Sequence, residues 1–378
     1  MPTTELSETV SVSALRDMLE QGQPVTILDV RPEEEWAEWR IPGSVHVDAY
    51  AALKAGDAAA LSGVELPADS PIVTLCGVGV TSLTAARQLR QHGYQAQSLA
   101  GGMKAWSLAW NSAEVPLPES KPQVLQLRRT GKGCLSYLIG SGEEALVVDA
   151  SLPPEVYLTL AQQRGWRITT VIDTHIHADH LSRSRPLAGL TGATLYLPDN
   201  RRASDFTPVR DGDVLAVGEA RLEVLATPGH TEESAGYLLR PAGVPDAQAL
   251  FTGDTLFLDG VGRPDLEADP EQAEQRARML YGSLQRLQAL PDGVLVLPGH
   301  AAEPIPFDGV PLVATLGEVQ KRVARLRQTE TEFVRSLLAH LPPAPPNHSR
   351  IVSLNEEAGW PEGDVTDLEA GANRCAVN

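Results

Sequence analysis

Five of the nine histidines fall into three short motifs that repeat one arrangement: an apolar run, a turn, then a side chain able to hold a metal. Thr174-His175-Ile176-His177-Ala178-Asp179-His180 follows TTVID, Pro228-Gly229-His230-Thr231 follows LEVLAT, and Pro298-Gly299-His300 follows VLVL. A fourth motif, Phe251-Thr252-Gly253-Asp254, follows QAL and offers a carboxylate in the same position. Glycine beside the ligand lets the backbone turn sharply, and loops at strand ends are where α/β folds gather their sites. An isolated histidine after a strand is ordinarily packed or solvated. Four such motifs in this order constrain the chain to a fold that brings these strand ends together. Imidazole and carboxylate in combination suit iron or zinc.

The chain has 378 residues, which at about 150 residues per domain suggests two domains. With 42% hydrophobic and 21% charged residues, a disordered or fibrous chain is excluded. No apolar run approaches the roughly 20 residues needed to span a bilayer, and MPTTELSETV has no signal-peptide pattern, so no membrane association is expected. A net charge of −18 disfavours nucleic acid and acidic lipid as partners. Cys76, Cys134 and Cys375 are odd in number and far apart, which argues against a disulfide scaffold and fits a reducing cytoplasm. The proline-rich, acidic stretch SAEVPLPESKPQ at 112–123 reads as a linker. Before it, strand runs at Val25–Val30, Ile72–Cys76 and Gln95–Leu99 alternate with helical patterns at Val12–Gln21 and Thr81–His92, with Ser11 and Thr81 as candidate N-caps. That alternation argues a parallel α/β sheet. After it, short strands dominate, with helical patterns at Pro153–Arg164, Pro270–Leu290 and Val313–Leu341.

In the first unit, Cys76 lies directly after the strand run PIVTL and opens the loop Cys76-Gly77-Val78-Gly79-Val80-Thr81-Ser82 ahead of a helical pattern. Backbone N–H groups and the helix dipole converge there and favour a thiolate. Alone, this is as easily a buried structural cysteine. Around it lie Asp29-Val30-Arg31, Arg40-Ile41-Pro42-Gly43-Ser44-Val45-His46-Val47 and Gly101-Gly102-Met103-Lys104-Ala105-Trp106. With these in order, the N-terminal unit resembles a rhodanese domain. The resemblance implies a parallel sheet with flanking helices, Cys76 as the nucleophile that carries sulfane sulfur, and Asp29 and Arg31 as a buried polar pair. The loop GVGVTS departs from many active members in having no cation, which disfavours the thiosulfate dianion more than a persulfide.

The histidine and aspartate motifs resemble the metallo-β-lactamase superfamily. The stretch from Phe251 to Asp265, FTGDTLFLDGVGRPD, is closest to its persulfide dioxygenase (ethylmalonic encephalopathy protein-like) branch, and GANRCAV and PPNHSRIV are similar to the same branch. The implied fold is an αββα sandwich, giving an expected organisation of rhodanese domain 1–111, linker 112–123 and dioxygenase domain 124–378. The resemblance further implies one Fe(II) per chain held by His175, His230 and Asp254. His177, Asp179, His180 and His300 would then line the pocket or stand behind the ligands. The implied reaction takes a low-molecular-weight thiol persulfide, such as glutathione persulfide, with O₂ and water to sulfite, with thiosulfate a further product through the rhodanese domain. The alternative is a dinuclear Zn(II) thioesterase of the glyoxalase II type, in which His177, Asp179, His180 and His300 complete the two metal sites. Arg263 is a candidate for binding a substrate carboxylate, against a structural ion pair with Asp265. Cys134 is expected in the core or pocket wall and Cys375 as an exposed tail thiol. The oligomeric state is open, a homo-oligomer included.

Overall fold

The computed structural model describes residues 7–118, 122–200, 203–301, 303–357 and 359–377. Residues 1–6 of the expected first domain and 119–121 of the expected linker therefore lie outside the described residues. The N-terminal domain is a five-stranded, wholly parallel sheet in the order Thr9–Val10, Ala96–Leu99, Ile72–Leu75, Thr26–Asp29 and Val45–His46. Ile72–Leu75 is buried along its whole length, as a strand covered on both faces must be. Leu28, Val30, Ala85 and Leu89 fill one face, and Leu15, Ile27, Leu75 and Trp106 fill the other. Ser11 caps the helix Val12–Glu20 through a bond from the Ala14 amide. Thr81 does not cap its helix: Thr81–Gln91 begins at that residue, and Val80 holds the cap position without a side-chain bond.

The second domain packs two mixed sheets face to face. One has seven strands in the order Thr207–Val209, Thr194–Pro198, Arg167–Ile172, Glu144–Val148, Cys134–Ser141, Gln123–Arg129 and Asn111–Glu114. The other has six: Val214–Val217, Ala220–Ala226, Ala235–Arg240, Ala249–Gly253, Leu295–Pro298 and Ala314–Thr315. Between them Tyr137, Ile139, Val148 and Ile172 meet Leu222, Val224, Tyr237 and Phe251. Helix Pro154–Gln163 covers the outside of the first sheet through Tyr157 and Leu160. Helix Pro270–Gln288 covers the second through Ala277, Leu280 and Leu284. Cys134–Ser141 and Ala249–Gly253 are buried along their whole length, as inner strands covered by a sheet on one side and a helix layer on the other must be. The helical pattern over Val313–Leu341 is broken into Leu316–Arg322, a 3₁₀ turn at Ala324–Arg327 and Glu330–Leu338, because capping boxes at Thr315/Glu318 and Thr329/Glu332 each start a new helix.

The stretch expected as a linker differs from free chain over its first residues. Asn111–Glu114 pairs antiparallel with Gln123–Arg129 as an edge strand of the second domain. The domains also dock directly. Trp39 Nε1 donates to the Gly131 carbonyl (2.8 Å) and Arg129 Nε to the Ser107 carbonyl (2.7 Å), while Trp106 lies against Phe307. Among the described residues, no helix is long and apolar enough to cross a membrane.

Candidate metal centre and cysteine loop

Four strand-end loops converge at one edge of the sandwich. The loop after Arg167–Ile172 brings His175, His177, Asp179 and His180, while those after Ala220–Ala226, Ala249–Gly253 and Leu295–Pro298 bring His230, Asp254 and His300. All seven side chains are buried. Close approach is enforced at Gly299, where a Cβ would lie 2.6 Å from Asp254 Oδ1.

His175, His230 and Asp254 form one cluster, their donor atoms within 4.8 Å of one another. Asp254 Oδ2 stands 3.5 Å from His230 Nε2 and 4.0 Å from His175 Nε2, and it is buried with no hydrogen-bond partner. An orphaned buried carboxylate oxygen facing two imidazole nitrogens is costly unless a cation completes it. The far nitrogens are already held: His175 Nδ1 by Thr174 Oγ1 at 2.8 Å, and His230 Nδ1 by the Arg263 carbonyl at 2.8 Å. Thr174 in turn donates both its amide and its hydroxyl to Asp149, at 2.6 and 2.9 Å. Such outer partners fix which ring nitrogen is free to bind metal. Burial pushes the His175 and His230 pKa values down, so both rings are neutral. Burial alone would raise Asp254, but His300, bonded to it at 2.7 Å, more than offsets this and holds the carboxyl well below its ordinary range. The residues fit a divalent cation.

The remaining groups behave differently. His300 is held through both ring nitrogens, Nδ1 2.7 Å from Asp254 Oδ1 and Nε2 3.0 Å from Asp179 Oδ2. Burial opposes protonation of His300, but the two carboxylates outweigh it and raise its pKa well above the ordinary value. His180 Nδ1 meets Asp179 Oδ1 at 2.9 Å. His177 turns towards Asp149, 3.3 Å away, rather than joining the cluster. Cys134 donates to Asp179 Oδ2 at 3.3 Å, so it is a wall of this cluster. Cys375 is not an exposed tail thiol. It is 1% exposed because Ala376–Val377 threads in as a strand against Val261–Gly262, bringing the thiol to Asp254 and His300.

Arg263 does not reach the cavity. Its Nε and Nη2 grip Asp265 at 2.8 Å each, and its other N–H groups go to the carbonyls of Pro342, Pro343 and Arg374. All five donors are used, so the guanidinium braces the loop that holds His230. Arg263→Lys is expected to lower metal content and thermal stability at unchanged KM for the metal-site substrate. Metal analysis with kinetics checks it, and a raised KM at full metal occupancy would restore the substrate-binding role.

A cavity of about 260 Å³ opens beside His175 and His177, lined by Leu195, Leu197, Trp360, Asn355 and Arg185 among others. Arg185, which lies past the HADH motif and which sequence reasoning passed over, borders this cavity while its guanidinium donates to the Ser204 and Asp205 carbonyls at 2.8 Å each. Asn355 carries no local signal, yet its amide donates to the carbonyls of His177 (2.8 Å) and His180 (3.0 Å), tying the helix His348–Glu356 to the ligand loop. Asp149 and Asp173 were visible as the aspartates ending VVD and VID, the same strand-end arrangement as the four motifs.

In the N-terminal domain, Cys76 Sγ is buried and accepts bonds from the Gly79 amide (3.2 Å) and Ser82 Oγ (3.3 Å). The loop is held from behind by the Met103 and Lys104 amides, which donate to the Cys76 and Gly77 carbonyls at 2.9 Å each. Gly102 is needed there: its φ is +57°, and a Cβ would fall 2.3 Å from the Cys76 carbonyl oxygen. Asp29 and Arg31 form the expected buried pair at 2.7 Å.

The Rhodanese-like domain family matches residues 11–109 and the Metallo-beta-lactamase superfamily residues 129–300. A hydroxyacylglutathione hydrolase of Brucella anthropi is 33% identical over 213 residues, 53% of this chain and 76% of the relative. Among solved structures, ETHE1 from Myxococcus xanthus is 33% identical with a TM-score of 0.54, covering 62% of this chain and 98% of that one. A metallo-beta-lactamase from Staphylococcus aureus is 30% identical with a TM-score of 0.58, covering 64% and 74%. The chain belongs to the metallo-beta-lactamase superfamily and carries a rhodanese-like domain ahead of it.

Proposed function

We propose that the chain is a persulfide dioxygenase fused to a sulfurtransferase, with one iron(II) held by His175, His230 and Asp254. The observation that carries this reading is the double hydrogen bond of His300 to Asp254 and Asp179, at 2.7 and 3.0 Å, which occupies both its ring nitrogens. With His300 so engaged, the donor atoms of His175, His230 and Asp254 stand within 4.8 Å of one another, and His175 borders the cavity. Two imidazoles and one carboxylate are the donor set of a facial triad, which would leave positions for a substrate sulfur and dioxygen. When bound, iron(II) supplies electrons for oxygen chemistry beside a thiolate, which redox-silent zinc does not. The protein's own groups fix the two imidazoles as neutral donors, hold Asp254 as an anion and wall the cavity with Leu195, Leu197 and Trp360. Overall, a thiol persulfide, O₂ and water give sulfite and the free thiol, with glutathione persulfide the substrate favoured by the glutathione-linked relative.

A second reading has its own support. His180 Nε2 and both ring nitrogens of His177 are buried without a hydrogen-bond partner, as a dinuclear zinc hydrolase would leave them, and the Brucella relative is a hydrolase. Metal analysis of anaerobically purified protein, with O₂ uptake on glutathione persulfide, separates the two. One iron per chain with O₂ uptake is expected; two zincs with thioester hydrolysis overturn the dioxygenase reading.

The rhodanese domain would hand sulfane sulfur to that site or join it to sulfite as thiosulfate, and one chain holding both raises their effective concentration. Cys76→Ser is expected to abolish sulfur transfer while leaving O₂ uptake on a supplied persulfide within about twofold of wild type, because the metal site lies wholly in the other domain. Loss of both activities would show that the sites do not act separately.

A further inference from the structure

The loop that carries His175, His177, Asp179 and His180 is held by side chains rather than by backbone. Among the described residues, positions 175–182 make no backbone–backbone hydrogen bond, although 175–181 are all buried. Buried backbone groups must find partners elsewhere. Glu233 Oε1 accepts the Ile176 amide at 3.0 Å, and Glu369 Oε1 accepts the Leu181 amide at 2.8 Å. Asn355 takes the largest share. Its side-chain nitrogen donates to the His177 carbonyl at 2.8 Å and the His180 carbonyl at 3.0 Å, while its Oδ1 accepts the Ser182 amide at 2.9 Å. Both of its N–H donors and its oxygen are thereby used.

The apolar anchor of the loop comes from the same part of the chain. Leu181 is buried against Ile351 and Leu354, with Val365 and Leu368 beside them, in a small core apart from the sandwich. Ile351, Leu354 and Asn355 all belong to the helix His348–Glu356. These partners and Glu369 lie beyond residue 300, where the match to the superfamily ends. The matched stretch supplies the metal-capable side chains, and the segment after it supplies most of what holds their backbone.

The directions open to a side chain follow from its backbone φ and ψ. His175 faces Asp254, while His177, two residues on, turns to Asp149 at 3.3 Å. In a loop with no backbone ladder, that division depends on whatever grips the carbonyls between which the chain bends. We propose that Asn355 is a positioning residue for the metal centre: by gripping the His177 and His180 carbonyls it shapes the loop so that His175, and not His177, is presented with His230 and Asp254. This rests on those three residues being the metal ligands, and not on which metal or reaction they serve. The competing role is a polar peg that merely docks the helix, and it would show in stability alone.

The test uses the full-length protein loaded with cobalt(II), whose ligand-field spectrum reports donor set and geometry. Asn355→Asp keeps the shape and the acceptor for Ser182 but has no N–H for the two carbonyls. Cobalt release to a chelator should be about 10-fold faster than in wild type, the lower end of the cost of losing an outer partner of a ligand, and the spectrum should change. Asn355→Ala removes the bonds without setting a charge beside the carbonyls. It should move both readouts in the same direction, and it is decisive if the aspartate variant does not fold. A lower melting temperature with wild-type spectrum and release in Asn355→Ala is the signature of a helix peg and overturns the proposal. In the unaltered protein, the Ser182 amide should exchange with solvent no faster than the amides of His348–Glu356, because its bond opens with that helix. Exchange several-fold faster than the helix overturns the proposal whether or not either variant folds. Wild-type protein that takes up no cobalt overturns the metal centre itself, and the role of Asn355 with it.

Discussion

His230→Ala is expected to strip most of the metal and reduce O₂ uptake on a persulfide by at least about 100-fold. Losing merely an outer partner of a metal ligand costs about 10–100-fold in affinity or activity, and this substitution deletes one of three donors. It also frees the Arg263 carbonyl and leaves Asp254 Oδ2 facing a single imidazole. The fold should persist, because His230 sits in a loop past Ala220–Ala226 and takes no part in the apolar cores. Iron content, O₂ uptake and circular dichroism measured on the same preparation check this. Full iron with full activity would remove His230 from the site.

Glu369→Gln is expected to destabilise the fold by about 3–5 kcal/mol, the cost of removing one partner from a buried ion pair. Its carboxylate is buried against two guanidiniums, Arg129 at 2.7 Å and Arg183, and accepts the Leu181 amide at 2.8 Å. Neutralising it leaves two buried cations without the carboxylate they are bonded to, one of them in the strand Gln123–Arg129 and the other just past the ligand loop. Burial would raise the Glu369 pKa, but Arg129 and Arg183 outweigh it and hold it at about 2. A depressed carboxyl pKa gives stability that is fully present above the unfolded value of about 4.3 and is lost as pH falls towards the folded one. Wild-type stability should therefore decline between about pH 4.5 and 2 by an amount missing from the variant. Urea unfolding across that range checks both statements; parallel wild-type and variant profiles would show that Glu369 contributes nothing there.

The same cluster illustrates what a reading along the chain passes over. Gln123–Arg129 and Cys134–Ser141 are the longest adjacent pair in the seven-stranded sheet, yet QVLQLRR looks half-exposed, with polar residues alternating and two arginines at its end. Those positions are buried because Arg128 is paired with Asn111 and Asp308, and Arg129 with Glu369. Periodicity records apolar side chains; it has no signal for a buried charge whose partner lies hundreds of residues away. The linker reading met a related difficulty. Asn111–Glu114 is polar because it is an edge strand, and Pro116, Pro118 and Pro122 lie in the connection that joins it to Gln123–Arg129.

What the sequence alone determined is local. Strand-end placement of His175, His230, Asp254 and His300, the turn glycines beside them and the parallel sheet with Cys76 at a strand end follow from short motifs and apolar periods, while the αββα sandwich came from the family resemblance those motifs carry. These depend on backbone geometry within a few residues. Tertiary structure alone decided which of the metal-capable groups face an open space and which satisfy one another. His177 and His175 are two residues apart in one loop, yet one turns to Asp149 and the other faces Asp254. Arg263 is consumed by carbonyls from Pro342, Pro343 and Arg374, and Cys375 is drawn from an apparent tail into the centre by strand pairing. Hydrogen bonds and ion pairs fall off over a few ångströms, so they are set by neighbours in space, and only the closed fold makes segments so distant in the chain into neighbours.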